Sequence, residues 1–336
     1  MISIAKKANL GGKPSVLATI FILLAVITIC LMKRDSTTIE PPPEQWYLSG
    51  DTKFNVNIGW HEMWREYNSI PNRYKKTVKV AVIDTGVDAD NSEIRDCVIG
   101  TERDSKDELG HGTKVAGIIC ASQYEGRVIG VSDIKRTRIL PIAIITKDGN
   151  YSDQGCDVES LTDAIRLADS SGCKICNISL NTDDDTQSLK DVISESAMLF
   201  VVSAGNGSGR GRNIDKKPSY PASYNFDNLI TVTNIKSNGR LNTNANYGQC
   251  VDVAAPGTEI YNIELDNRYG TSTGTSFAVP IVTGLASMLY ICDETMTAAQ
   301  CKDIILRSAS QERRLNNKIE NNRVVNLSAA LKCVAN

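Results

Sequence analysis

The stretch TGTSFAVP (273–280) puts Ser276 between a glycine turn and a long apolar run. Two roles compete for it. Ser and Thr are favoured helix caps, because a side-chain oxygen accepts from the free backbone N–H groups of a first turn. A serine hydroxyl can also be a nucleophile, if a base lies within hydrogen-bond reach. Histidine suits that work because its pKa lies near working pH. The chain has two histidines, His61 and His111. His61 sits in the aromatic helical stretch IGWHEMWREY and reads as structural. His111 sits between two glycines in ELGHGTKVAG, at the start of an apolar helix. A base of this kind works with a carboxylate that fixes the imidazole tautomer and stabilises the imidazolium. VAVIDTGVD supplies one: Asp84 ends a strand just before a glycine turn. Each stretch alone has a plain structural reading as a turn or a cap. Together they offer a nucleophile, a base and an orienting acid.

Such residues need a rigid frame. Apolar runs predict strands at 77–84, 138–145, 174–180, 197–204 and 229–235. Helical patterns lie near 112–122, 159–171, 187–196, 276–290, 297–309 and 326–334. This alternation predicts an α/β fold: a mainly parallel sheet with helices on both faces. Sites in such folds gather at the carboxyl ends of strands, where Asp84 falls.

The chain has 336 residues, with 41% hydrophobic and 23% charged content and a net charge of −2. Nothing in that balance calls for nucleic acid as a partner. One segment departs from it. SVLATIFILLAVITICLM (15–32) carries no charge and is long enough for a transmembrane anchor or signal-anchor. A cleaved signal peptide is the alternative, although no good small-x-small site follows. The expected organisation is a short N-terminal segment at 1–14, the anchor at 15–32, a Pro-rich linker at 33–44 and a catalytic domain at 45–336. This places the catalytic domain on the extracytoplasmic side of a membrane, or secreted if the segment is cleaved.

There are ten cysteines, with Cys30 inside the apolar segment. Cys120 and Cys176 sit in apolar runs and read as buried thiols, and Cys292 and Cys301 are close enough in sequence to bridge. The CxxC spacing of Cys173 and Cys176 lacks nearby histidines to complete a zinc site.

The order Asp84, His111, Ser276 is that of subtilisin-like enzymes. VIDTGVD, GHGTKVAG and GTSFAVP resemble the three catalytic motifs of the subtilisin-like serine proteases, the subtilases. VVSAGNGSG resembles the family's segment for the oxyanion-hole asparagine, here Asn206. The likeness runs from Gln45 to the end, through QWYLSGDTKFNVNIGWHEMW, VDVAAPGTEI and NNRVVNLSAALKC. It implies a three-layer α/β/α subtilisin-like domain and a serine endopeptidase working through an acyl-enzyme. It also implies a protein or peptide substrate, a monomer, and no cofactor for the chemistry.

The resemblance extends, with departures, to the substrate cleft. Ser179, Leu180 and Asn181 stand at the family's substrate-pairing segment, Ser219 at a pocket wall, and Tyr151 at an outer subsite. Asn181 replaces a glycine and is expected to narrow or re-shape the first specificity pocket. Asp183, Asp184 and Asp185 read either as selectors of basic substrates or as a solvated turn, with Arg210, Arg212, Lys216 and Lys217 opposite. Lys114 replaces a second, non-catalytic histidine. Residues 33–43 are too few for a folded inhibitory propeptide. Glu93 stands where relatives place a calcium-ligating Asp and Tyr124 in another ligand position, which leaves a structural calcium open.

Overall fold

VKVAVID has no turn former before its last residue and extends as β1 (Val78–Asp84), with only Lys79 exposed. A strand buried on both faces belongs inside a parallel sheet, and β1 lies between two parallel neighbours. These are β2 (Thr137–Ala143) on one side and β5 (Ile175–Ile178) on the other. The computed structural model describes residues 40–49, 56–100, 106–122, 127–146, 151–152 and 155–335. The expected anchor at 15–32 lies outside the described residues. From Pro41 onward the chain forms one compact unit.

The sheet continues through β6 (Leu199–Ser203), β7 (Leu229–Ile235) and β8 (Val253–Pro256), all parallel. Two short strands, β11 (Ser310–Gln311) and β12 (Arg323–Val324), close the far edge. The order is β11-β12-β8-β7-β6-β5-β1-β2. Two small hairpins stand apart: β3 (Tyr151–Ser152) with β4 (Gly155–Cys156), and β9 (Ile260–Ile263) with β10 (Tyr269–Ser272).

The strands agree with the sequence reading to within a few residues. The predicted strand 138–145 ends at Ala143 instead, because the Ile144 and Ile145 N–H groups turn onto the Asp84 carbonyl. The two hairpins and the β11–β12 edge are built of strands of two to four residues, too short to show as runs. The early helices are α1 (Trp60–Ser69), α2 (His111–Cys120), α3 (Val158–Ser170) and α4 (Gln187–Ser194). The later ones are α5 (Thr275–Cys292), α6 (Ala298–Ser308) and α7 (Leu327–Lys332). A capping box, Thr297 with Gln300, starts α6.

Helix α5 is apolar all round, as a core helix must be. It is buried from Thr275 to Ile291 except at Ser276, and it packs on α2, β5, β6, β7 and β8. By length and composition it could cross a membrane, yet 89% of it is buried inside the protein. The nine cysteines among the described residues are all free thiols: Cys292 and Cys301, which the sequence allowed as a bridge, and likewise Cys173, Cys176, Cys97 and Cys120. Among the described residues no cluster of His, Cys, Asp and Glu could hold a metal.

Candidate active site

Strand β1 delivers Asp84 to its carboxyl end, where the side chain has no exposed surface. Asp84 Oδ1 accepts from the Thr85 N–H at 2.8 Å and lies 2.7 Å from His111 Nδ1. The carboxylate is an acceptor only, so Nδ1 carries the proton and Nε2 has its lone pair free. Asp84 Oδ2 is buried without a partner.

His111 is the first residue of α2, and local chemistry fixes that start. Gly110, at φ 84°, takes the left-handed turn that a side chain would strain. Gly112 lies so close to the turn after β1 that a Cβ there would overlap the Gly86 carbonyl oxygen. Asp107 ties the two segments together. Its Oδ1 accepts from Thr85 Oγ1 (2.9 Å), Leu109 N–H (3.0 Å) and Gly110 N–H (2.7 Å). Its Oδ2 accepts from Thr113 N–H (2.9 Å) and Thr113 Oγ1 (2.7 Å). Thr85 Oγ1 in turn accepts from the Gly112 N–H at 2.9 Å. The sequence reading passed over Asp107; the signal was its place in DELGH, since Asp commonly caps helices and initiates turns.

Two influences set the charge preference of His111. Burial pulls its pKa down; the Asp84 charge and hydrogen bond, helped by Asp107, outweigh this and hold it above the ordinary value. The side chain keeps 30% of its surface exposed, so the imidazole can reach a bound molecule. The Phe277 ring packs against it with centroids 5.3 Å apart.

Ser276 is the second residue of α5. It shares a cavity of about 300 Å³ with His111, Thr85, Leu109, Ile145, Ser179 and Leu180. Ser276 and His111 are not in a hydrogen bond: Ser276 Oγ donates to the Ser179 carbonyl at 3.1 Å. Asn206, three residues beyond β6, reaches the same helix start. Its Oδ1 accepts from the Thr275 N–H at 3.2 Å, which assigns the amide orientation and leaves Nδ2 as a free donor beside Gly274. His61 lies elsewhere, on α1, its ring edge-on to Trp60.

The expected substrate-contacting residues divide. Ser179 and Leu180 line the cavity. Asn181 turns away from it: Nδ2 donates to the Ser203 carbonyl at 2.7 Å and Oδ1 accepts from Ser203 Oγ at 2.8 Å. Ser219 is buried, but it borders this segment through its neighbour, since Thr182 and Tyr220 exchange two backbone hydrogen bonds of 2.8 Å. Tyr151 pairs with Cys156 in the β3–β4 hairpin, and its side chain lies outside the described part. In the acidic run, Asp183 pairs with Arg212 and Asp185 with Lys190, each at 2.7 Å.

At Glu93, where the sequence left a calcium site open, two donors meet one carboxylate oxygen. Glu93 Oε1 accepts from the Tyr269 hydroxyl at 2.6 Å and the Arg127 N–H at 3.1 Å. The Arg127 guanidinium lies 5.6 Å from the Tyr269 ring centre. Tyr124 lies outside the described residues. Lys114 pairs with Glu264 at 3.1 Å.

Comparison with known proteins places the chain. The model of the subtilase family (peptidase S8) matches residues 75–326. The chain is 34% identical over 221 residues to a thermophilic serine proteinase of Bacillus sp. (strain AK1), covering 63% of this chain and 51% of that protein. It is 28% identical over 242 residues to subtilisin DY of Bacillus licheniformis, covering 69% and 84%. Among solved structures, a protease of Pseudoalteromonas arctica PAMC 21717 aligns with a TM-score of 0.72 at 20% identity, covering 89% of this chain and all of that one. A cold adapted subtilisin-like serine proteinase aligns at 0.66 and 24%, covering 83% and 96%. The last two likenesses concern the fold alone. With the family model spanning β1 to the end of the sheet, the chain belongs to the subtilase family of serine peptidases.

Proposed function

We propose that this chain is a serine endopeptidase in which Ser276 attacks the scissile carbonyl of a protein or peptide. His111 takes the Ser276 proton and returns it to the leaving amine, leaving an acyl-enzyme that water then hydrolyses. Asp84 holds the imidazole with Nε2 toward the cavity. Asn206 Nδ2 and the Ser276 backbone N–H stabilise the oxyanion at the positive end of α5. The observation that carries this reading is the 2.7 Å contact of His111 Nδ1 with Asp84 Oδ1, opposite Ser276 in one cavity. The Ser276 hydroxyl donates to the Ser179 carbonyl and has to turn to Nε2 for the reaction; catalytic hydrogen bonds often tighten only in the complex.

Ser179, Leu180 and the 219–224 wall receive the substrate as an added strand. Asn181, held against Ser203, re-shapes the first pocket where a glycine would leave it open. Residues 45–336 form the catalytic domain, and 15–32 anchor it with that domain on the extracytoplasmic side. This address rests on the charge-free run alone. Alkaline extraction of membranes tests it, because an anchored chain stays in the pellet.

The reaction is tested by labelling the full chain with a fluorophosphonate. Wild type takes the label and Ser276→Ala does not. A folded wild type that stays unlabelled would sink the proposal.

A further inference from the structure

Cys97 closes the turn segment that follows β1, and Cys120 is the last residue of α2. Their sulfurs meet in the interior: Cys97 Sγ lies 2.9 Å from Cys120 Sγ, and neither residue has exposed surface. Both backbones are held. Cys97 donates its N–H to Ile94 and accepts at its carbonyl from Ile139 of β2, while Cys120 is fixed by the last turn of a buried helix. The other contacts of Cys97 Sγ are two carbonyls, Ile94 at 3.0 Å and Cys120 at 4.0 Å. The pair lies outside the substrate cavity, and no third metal-ligating group joins it among the described residues.

We propose that Cys97 and Cys120 close a structural disulfide as the chain folds in an oxidising compartment. The oxidant is an external disulfide, either glutathione disulfide or a protein dithiol oxidase in its disulfide form. One cysteine thiolate attacks it, forming a mixed disulfide and releasing one thiol; the second cysteine displaces the other. One S–S bond forms in the protein and one breaks in the oxidant, which takes up two electrons and two protons. Export of the chain, expected from residues 15–32, supplies the compartment.

The position of the bridge sets its effect. It joins the last turn of α2, whose first residue is His111, to the turn segment after the strand bearing Asp84. The closed loop 97–120 contains Asp107 and His111. A cross-link of this length acts chiefly on the unfolded chain, so it raises stability and leaves the chemical step alone. Burial pushes the Cys120 thiol up, and neither sulfur meets solvent. Exchange therefore takes place before the core closes, and the finished bridge resists reductant while the fold persists.

The full chain, folded with glutathione disulfide, is denatured, blocked with N-ethylmaleimide and digested without reduction. The expected product joins the Cys97 and Cys120 peptides, is lighter by two hydrogens than their sum, and separates on reduction. Recovery of both cysteines as maleimide adducts, or of either one bridged elsewhere, overturns the proposal. In a second measurement, thiol reductant in mild denaturant shortens the thermal half-life of wild type several-fold and leaves C97A/C120A unaffected. An equal response of the two proteins also overturns it. The peptide map needs neither the variant nor any activity, so a failed triad and a failed bridge are told apart.

Discussion

Ser179 and Ser276 exchange hydrogen bonds crosswise: each hydroxyl donates to the other's carbonyl at 3.1 Å. The cause lies four residues along α5. Pro280 has no N–H to give the Ser276 carbonyl, so the helix lacks that rung. The Ser179 hydroxyl supplies it and joins the segment after β5 to the helix that carries the proposed nucleophile. Ser179→Ala leaves the carbonyl unpaired at a partly buried site, a loss of about 1 kcal/mol. The urea midpoint should fall with an unchanged m-value. Turnover should fall less than about tenfold, since the three proposed catalytic side chains are untouched.

The Asp84–His111 contact sets a pH limit. The imidazole must be neutral to act as base, and its pKa is held above the ordinary value. Activity should therefore fall as pH drops through that raised pKa, with kcat/KM reaching its plateau only above it. Asp84→Asn removes the charge that holds the pKa up, so the acid limb moves to lower pH. The same change spoils the tautomer and should lower kcat by about 10⁴, a magnitude known from a serine protease of another fold. An acid limb that does not move would contradict the role given to Asp84.

Asn206 is anchored at Oδ1 by the helix start, and Nδ2 is the donor proposed for the oxyanion. Asn206→Ala should cost about 10²–10³ in kcat with little change in KM, a magnitude established on a subtilisin. A loss confined to KM would assign Asn206 to substrate binding instead.

Asp107 accepts five hydrogen bonds from the segments on either side of the Asp84–His111 pair. Asp107→Ala should destabilise the fold by about 1–3 kcal/mol, because buried donors lose their acceptor. A purely structural residue would lower the melting temperature alone. Positioning predicts a drop in kcat as well, measured well below the melting temperature.

Two of the three carboxylates in the 183–185 run are held in ion pairs. A peptide-library profile of wild type should therefore show no enrichment for Lys or Arg near the cut. Arg212→Ala frees Asp183 and should raise cleavage of such peptides by about two- to fivefold, the size of an exposed charge contact.

The sequence by itself determined the family and the strands of the frame, and it singled out candidate reactive groups. Asp84, His111 and Ser276 stood out as candidates because nucleophilic chemistry needs these residue types and only two histidines exist. Strands β1, β5, β6 and β7 were legible because a strand buried on both faces must be apolar throughout. The remaining features depend on residues distant in sequence but adjacent in space. The end of β2 is set by the Asp84 carbonyl, which captures the two N–H groups after Ala143. Asp107 is one carboxylate among many in the sequence, and five donors converge on it only in the fold. Asn181 looked like a residue of the pocket until Ser203 was found holding it aside. The crossed serines and the Cys97–Cys120 contact join segments with no sequence relation. Hydrogen bonds and sulfur contacts act over a few ångströms, and only folding brings these atoms within that distance.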